Sequence, residues 1–270
     1  MKLKELLIRG ISGAVYIALI IGSLWWCSLA FALVMLFAMV VSVHEFYAIS
    51  RKLSIKPQYA LGMAMAVLLF TASYTDSFGL SEDFRMLYYA LIPFATLVFF
   101  IELYRKSSSP FNNIAYTMLG VIYVALPFSF MSWVCSVGGM HLMFCFFILL
   151  WTNDTFAYLF GVTLGRHKIF PIISPKKSWE GYIGGILSVV VCAYFLHRSF
   201  SDVALVHMVS VGVIISVTAV LADLVESMFK RSAGVKDSGK IMPGHGGLLD
   251  RFDAALLSLP LVYAYVMVFM

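Results

Sequence analysis

The stretch LMFCFFILLWTNDTFAYLFG, residues 142–161, decides the fold class. At a rise of about 1.5 Å per residue, a helix of that length crosses roughly 30 Å of hydrocarbon. It carries a single charge, Asp154. Comparable stretches recur along the whole chain of 270 residues, of which 61% are hydrophobic and only 12% charged, with a mean hydropathy of +0.93. That is more apolar surface than one soluble core can hide. The runs lack the period-2 alternation of a membrane barrel. The sequence therefore describes an all-α, polytopic integral membrane protein.

Windows of about 19 residues place nine transmembrane helices, near 10–25, 28–49, 57–75, 86–104, 113–134, 140–162, 180–197, 204–226 and 252–270. The first two are separated only by SLWWCS, residues 23–28. The opening MKLKELLIRG resembles the basic head of a signal peptide, but no small-residue cleavage site follows, so it reads as a retained first span. Nine spans put alternate loops on opposite sides of the bilayer. One side then holds all but two of the 19 basic residues, the exceptions being Arg85 and Arg198. One miscounted span in the middle would scramble that asymmetry. The positive-inside rule places the N-terminus and the two long polar loops, 163–179 and 227–251, in the cytoplasm. The net charge of +5 belongs to this loop bias, and no soluble basic domain is present to bind nucleic acid. Cys27, Cys135, Cys145 and Cys192 all fall in apolar runs without ligand spacing and read as buried packing residues.

Polar groups divide the chain into 1–135, a scaffold of transmembrane helices, and 136–270, which holds the chemistry. Asp154 lies deep in an apolar run, where a charge needs a reason. Asp223 and Glu226 end the eighth span at i and i+3, on one helical face, and Asp250 and Asp253 open the ninth in the same relation. Four carboxylates brought together repel one another unless cations join them. Hard oxygen donors without cysteine suit Mg²⁺ or Mn²⁺. The alternative is an interfacial ion-pair network with Lys230, Arg231 and Arg251.

Between the pairs lie Lys236, Asp237, Lys240 and Gly244–His245–Gly246–Gly247. Glycine N–H groups and a helix N-terminus approach anions closely, and lysines and arginines neutralise phosphate oxygens. Carboxylates, glycines and basic groups in one loop describe a polyphosphate site. The loop GRHKIFPIISPKKSWEG, residues 165–181, repeats the theme with Lys176, Lys177 and Ser178, although Ser178 and Glu180 equally suit a helix start. No Walker A motif is present.

These residues resemble the integral-membrane phosphatidate cytidylyltransferases, also called CDP-diacylglycerol synthases. That family's signature begins Ser-x-x-Lys-Arg, continues through Lys-Asp and ends His-Gly-Gly-x-x-Asp-Arg-x-Asp. Here it reads SMFKRSAGVKDSGKIMPGHGGLLDRFD, from Ser227 to Asp253, with every polar anchor in register. Met242 stands where Leu, Ile or Phe is usual. NDTFAYLFG (153–161) and SPKKSWEG (174–181) also look like family segments, with Ser178 where Thr is common. The specific resemblance covers roughly the last 120 residues.

The resemblance implies that CTP and phosphatidic acid give CDP-diacylglycerol and pyrophosphate; the loop charges put the site at the cytoplasmic face, and the short N-terminus and compact loops point to a bacterial inner membrane. It implies Mg²⁺ on Asp223 and Asp250, with Glu226 and Asp253 as further ligands; a monovalent cation is another candidate. Lys230, Arg231 and Lys236 would hold CTP phosphates, and Lys176, Lys177 and Ser178 would reach a phosphate from the other loop. Gly246, Gly247 and Asp154 join the binding set and Arg251 the catalytic set. His245 would orient a phosphate or serve as an acid, and Asp237 would belong to the catalytic set or only fix the loop. The partners are the lipid bilayer, the two substrates and a second copy in a homodimer. A CTP-dependent transferase for another lipid phosphate or a polyprenol, and a cation-coupled transporter using Asp154, Asp223 and Asp253, are the alternatives.

Overall fold

The computed structural model describes residues 3–79, 86–170, 174–244 and 246–270. Its helices are α1 (Leu3–Trp26), α2 (Ser28–Lys52), α3 (Tyr59–Ser77), α4 (Met86–Tyr104), α5 (Pro110–Leu119), α6 (Leu126–Thr163), α7 (Trp179–Ser199), α8 (Leu205–Ser232) and α9 (Leu249–Phe269). A π-helical segment, Gly120–Ala125, joins α5 to α6. Among the described residues, six helices are long and apolar enough to cross a membrane by length and composition. One of these is the continuous 54-residue run Pro110–Thr163. It is broken at Gly139, whose φ of 74° and ψ of 168° are not helical, between the two spans expected there. The apolar part of α1, Gly10–Trp26, is shorter.

Three features differ from the sequence expectation. Loop 163–179 contains a small antiparallel hairpin, β1 (Lys168–Phe170) and β2 (Ser174–Ser178), paired Lys168 to Ser178 and Phe170 to Ser174. Helix α8 runs to Ser232 rather than stopping near 226, which puts Lys230 and Arg231 in its last turn. Basic groups are favourable there against the helix dipole. The helix ends in a Schellman turn: Val235 N–H bonds to Lys230 O, Gly234 N–H bonds to Arg231 O, and Gly234 has φ +67°. The described cysteines are all free, and Cys27 is exposed at the α1–α2 break rather than buried.

The chain forms two compact units, each discontinuous in sequence. The first comprises Met1–Trp133 and Lys230–Phe252. Its pivot is Tyr47 of α2, which is fully buried and donates to Thr117 O at 2.7 Å. Gly62 of α3 and Gly120 of the π-helical segment face that ring so closely that a Cβ at either would overlap it. A buried carboxylate, Glu102 of α4, ties three elements together. It accepts from Gln58 Nε2 (2.9 Å), Asn113 Nδ2 (2.6 Å) and Arg105 Nη1 (2.8 Å). The remainder of α4 is largely exposed, and Pro93 lies inside it. An apolar outer face suits lipid.

The second unit comprises Val134–Phe229 and Asp253–Met270. Close helix packing here relies on small residues, as membrane bundles commonly do. A Cβ on Gly181 would sit 2.6 Å from Ala157 O, and one on Gly185 would sit 2.9 Å from Asn153 Oδ1, so α7 lies directly against α6. Gly212 of α8 similarly admits Val189 of α7. Thr218 and Ser258 link α8 to α9 through a buried 2.6 Å hydroxyl pair.

Candidate active site

In the second unit, the helical spacing read from the sequence has its consequence. Asp223 and Glu226 stand one turn apart on α8, and Asp253 comes from the start of α9. One carboxylate oxygen from each lies within 4.8 Å of the others. Glu226 is fully buried, whereas Asp223 and Asp253 are half-buried. Three hard oxygen donors with no thiol or imidazole in the group fit Mg²⁺ or Mn²⁺. The hairpin delivers a cation beside them: Lys177 Nζ lies 2.6 Å from Asp223 Oδ2 and donates to Val220 O at 3.0 Å. Ser227 Oγ–H donates to the other oxygen, Asp223 Oδ1, at 3.2 Å.

Ser178 is buried, and its oxygen accepts the Gly181 N–H at 3.3 Å, capping α7. Glu180 receives the Arg166 and His167 N–H groups at 3.0 and 3.2 Å and sits 2.6 Å from His167 Nδ1, which pins the entry to the hairpin. Beside the hairpin lies an apolar hollow of about 240 Å³ lined by Ile169, Phe170, Trp179, Tyr182, Val217, Val220 and Leu221. Asp154 is exposed on α6, 3.5 Å from Asn153 Nδ2, and is not a member of the carboxylate group. The side chain of Lys176, and His245 entirely, lie outside the described residues.

In the first unit, the fourth carboxylate has different partners. Asp250 Oδ1 meets Lys230 Nζ at 2.6 Å, and Oδ2 accepts N–H groups from Ser238 (2.9 Å) and Gly247 (2.8 Å). Both side chains are nearly inaccessible, 11% exposed for Lys230 and 7% for Asp250. The ion-pair alternative raised from sequence thus describes Lys230 with Asp250. It also describes Lys177 with Asp223, though not with the basic partner expected. Arg231, Lys236, Asp237, Lys240 and Arg251 are exposed around this core, and Arg231 Nη1 donates to Val235 O at 3.2 Å.

The glycines have a steric explanation besides the phosphate cradle expected of them. Gly246 has φ +84°, and a Cβ there would come 2.5 Å from Asp250 Oδ2; a Cβ on Gly247 would overlap both Ser238 Oγ and a second carboxylate, Glu45. Gly247→Ala is therefore expected to lower the melting temperature of the purified protein by several degrees, about 1–3 kcal/mol of overpacking. Thermal unfolding in detergent measures it. Glu45, on α2, escaped the sequence reading because it lies in the half taken as scaffold. The signal was present: a lone acid inside an apolar span, the same criterion that singles out Asp154.

The fold and its polar groups define a helical protein with apolar, membrane-length helices and a cluster of carboxylates that has a lysine beside it. The cytidylyltransferase family model matches residues 7–269, and the chain belongs to that family. It is similar to the phosphatidate cytidylyltransferase of Staphylococcus aureus (strain COL), 41% identical over 174 residues, 64% of this chain and 66% of the relative. The enzymes of the same name from Staphylococcus epidermidis (strain ATCC 35984) and Staphylococcus haemolyticus (strain JCSC1435) are 40% and 38% identical over 177 and 174 residues. The matched stretch spans just under two thirds of the length of these relatives.

Proposed function

We propose that this protein is a phosphatidate cytidylyltransferase that makes CDP-diacylglycerol and pyrophosphate from CTP and phosphatidic acid. The observation that carries this reading is the cluster of Asp223, Glu226 and Asp253 with Lys177 on its edge, in a membrane protein of the cytidylyltransferase family. In the reaction, a phosphate oxygen of phosphatidic acid attacks the α-phosphorus of CTP. The bond from that phosphorus to the β-phosphate oxygen breaks, and pyrophosphate leaves. Such a transfer calls for positioning and charge neutralisation rather than a protein nucleophile.

Asp223, Glu226 and Asp253 would hold Mg²⁺, or Mn²⁺ in its place, which when bound neutralises charge on phosphate oxygens. Lys177 exchanges its pairing with Asp223 for a substrate phosphate. Lys230 and Asp250 brace the loop that carries Lys236 and Lys240. The apolar hollow beside β1 and β2 suits the glycerol end and first methylenes of a lipid. Offering purified protein phosphatidic acid, a polyprenyl phosphate and no lipid, each with CTP, tests the substrate. Pyrophosphate release is expected with phosphatidic acid alone, and release with the polyprenyl phosphate instead would move the reading to a different lipid acceptor.

The proposed topology has nine crossings of a bacterial inner membrane, with loops 163–179 and 233–248 in the cytoplasm. The distribution of basic residues supports it. In a background lacking the four native cysteines, a Lys240→Cys variant is expected to react with a membrane-impermeant maleimide in inverted vesicles and not in intact cells. Labelling from outside intact cells would reverse the orientation.

A further inference from the structure

Glu45 is 5% exposed within an apolar helix, where a carboxylate is costly unless several donors meet it. Its three hydrogen bonds all go to residues about 200 positions later. Ser238 Oγ–H donates to Oε2 at 2.8 Å, Leu249 N–H to Oε2 at 2.9 Å and Leu248 N–H to Oε1 at 3.2 Å. Leu248 and Leu249 are at the N-terminus of α9, where N–H groups lack intrahelical partners and the helix dipole favours an anion. Glu45 thus caps α9 from another helix, and with the same carboxylate it holds Ser238, on the far side of the loop bend.

The motif's own Asp250 repeats this bracing one layer away. It takes the Ser238 and Gly247 N–H groups, and Asp250 N–H in turn reaches Ser238 Oγ at 3.4 Å. Ser238 is therefore shared by two carboxylates, its hydroxyl by Glu45 and its N–H by Asp250. The glycines complete the fit, because a Cβ on Gly239 or Gly247 would overlap the Glu45 carboxylate. Met242 N–H also bonds to Gly246 O at 3.0 Å. The two feet of the loop, Ser238 and Gly247–Leu249, are fixed by Glu45 and Asp250.

We infer that Glu45 is a positioning residue for the proposed cytidylyl transfer, clamping both feet of the 233–248 loop so that Lys236, Lys240 and the bend meet the nucleotide phosphates in one register. The inference rests on the cytidylyltransferase reading for its functional half and on geometry alone for the clamp. Glu102 offers the contrast. It too is a buried carboxylate in the same unit, but its bonds to Gln58, Asn113 and Arg105 join scaffold helices and none reaches the loop.

The test compares the full-length wild type, Glu45→Gln and Glu102→Gln, purified in detergent. Glutamine at 45 presents an amide donor to N–H groups that need an acceptor. Hydrogen exchange in the peptide covering 238–249 is expected to quicken about tenfold or more in Glu45→Gln. The kcat per folded molecule should fall roughly tenfold to a hundredfold, because small misplacements cost that much, while KM for phosphatidic acid holds. Glu102→Gln is expected to lower the melting temperature and leave both the loop's exchange and kcat per folded molecule as they are. Unchanged exchange in Glu45→Gln overturns the clamp. Faster exchange with unchanged kcat overturns the catalytic consequence. A wild type that transfers no cytidylyl group refutes the functional reading while leaving the exchange result to judge the clamp. Should Glu45→Gln not fold, Ser238→Ala carries the same comparison. It is expected to quicken exchange and to lower kcat by about fivefold; no change in either overturns the inference.

Discussion

Replacing Asp223 by Asn is expected to cut cytidylyl transfer at least about a hundredfold, the scale on which removing a group that stabilises transition-state charge is felt. The substitution keeps shape and hydrogen bonding but removes one negative charge from a group whose other members are Glu226 and Asp253. Affinity for a divalent cation falls with the charge of its ligands. The Mg²⁺ concentration giving half-maximal rate should therefore rise together with the loss of maximal rate. Lys177, 2.6 Å from Asp223 in the wild type, loses its anionic partner at the same time. A Mg²⁺ titration of the folded variant checks this. A variant within twofold of wild type at saturating Mg²⁺ would remove Asp223 from the metal site.

The second large effect separates stability from activity. Lys230 and Asp250 form a nearly inaccessible pair at 2.6 Å. Removing one partner of such a pair leaves an uncompensated charge and costs about 3–5 kcal/mol, whereas replacing both with apolar residues of similar volume is often neutral. Asp250→Asn is therefore expected to lower the melting temperature by many degrees and to abolish turnover. The double variant Lys230→Met with Asp250→Leu is expected to regain part of the lost stability and none of the activity, because the Ser238 and Gly247 N–H groups still lack their acceptor. Thermal unfolding and a transfer assay on both variants check the pair. An active double variant would reduce Lys230 and Asp250 to packing.

Much of the helical fold was legible in hydrophobic run lengths, since the expected spans overlap helices and the break at Gly139 lies where two spans were divided, although among the described residues only six helices are long and apolar enough to cross a membrane. The hairpin was not legible. Residues 168–178 mix lysines, two prolines and isoleucines without a strand's alternation, and the pairing appears only when Lys168–Phe170 meets Ser174–Ser178. The extension of α8 to Ser232 was hidden because hydropathy falls where the helix leaves the apolar run, although backbone helicity continues to Ser232, just before the turn at Gly234.

The site shows the same division. Spacing of i and i+3 foretold that Asp223 and Glu226 share a face, and it foretold the same for Asp250 and Asp253 with equal force. Spacing alone cannot distinguish a carboxylate that meets other carboxylates from one that receives Lys230 and two loop N–H groups. That distinction comes from the Gly-rich bend returning on Ser238, a tertiary event. Glu45 illustrates the complementary loss: its acid was visible, but its partners lie some 200 residues away and no local pattern joins them.

The most direct measurement is transfer of label from CTP, labelled in the cytidine, into chloroform-soluble product by the purified full chain in detergent, with phosphatidic acid present or omitted and Mg²⁺ present or chelated. Label in the lipid phase only when both are present is the predicted result. A folded protein that transfers no label, or transfers it regardless of phosphatidic acid or of chelation, would contradict the assignment of Asp223, Glu226 and Asp253 to a metal-dependent cytidylyl transfer.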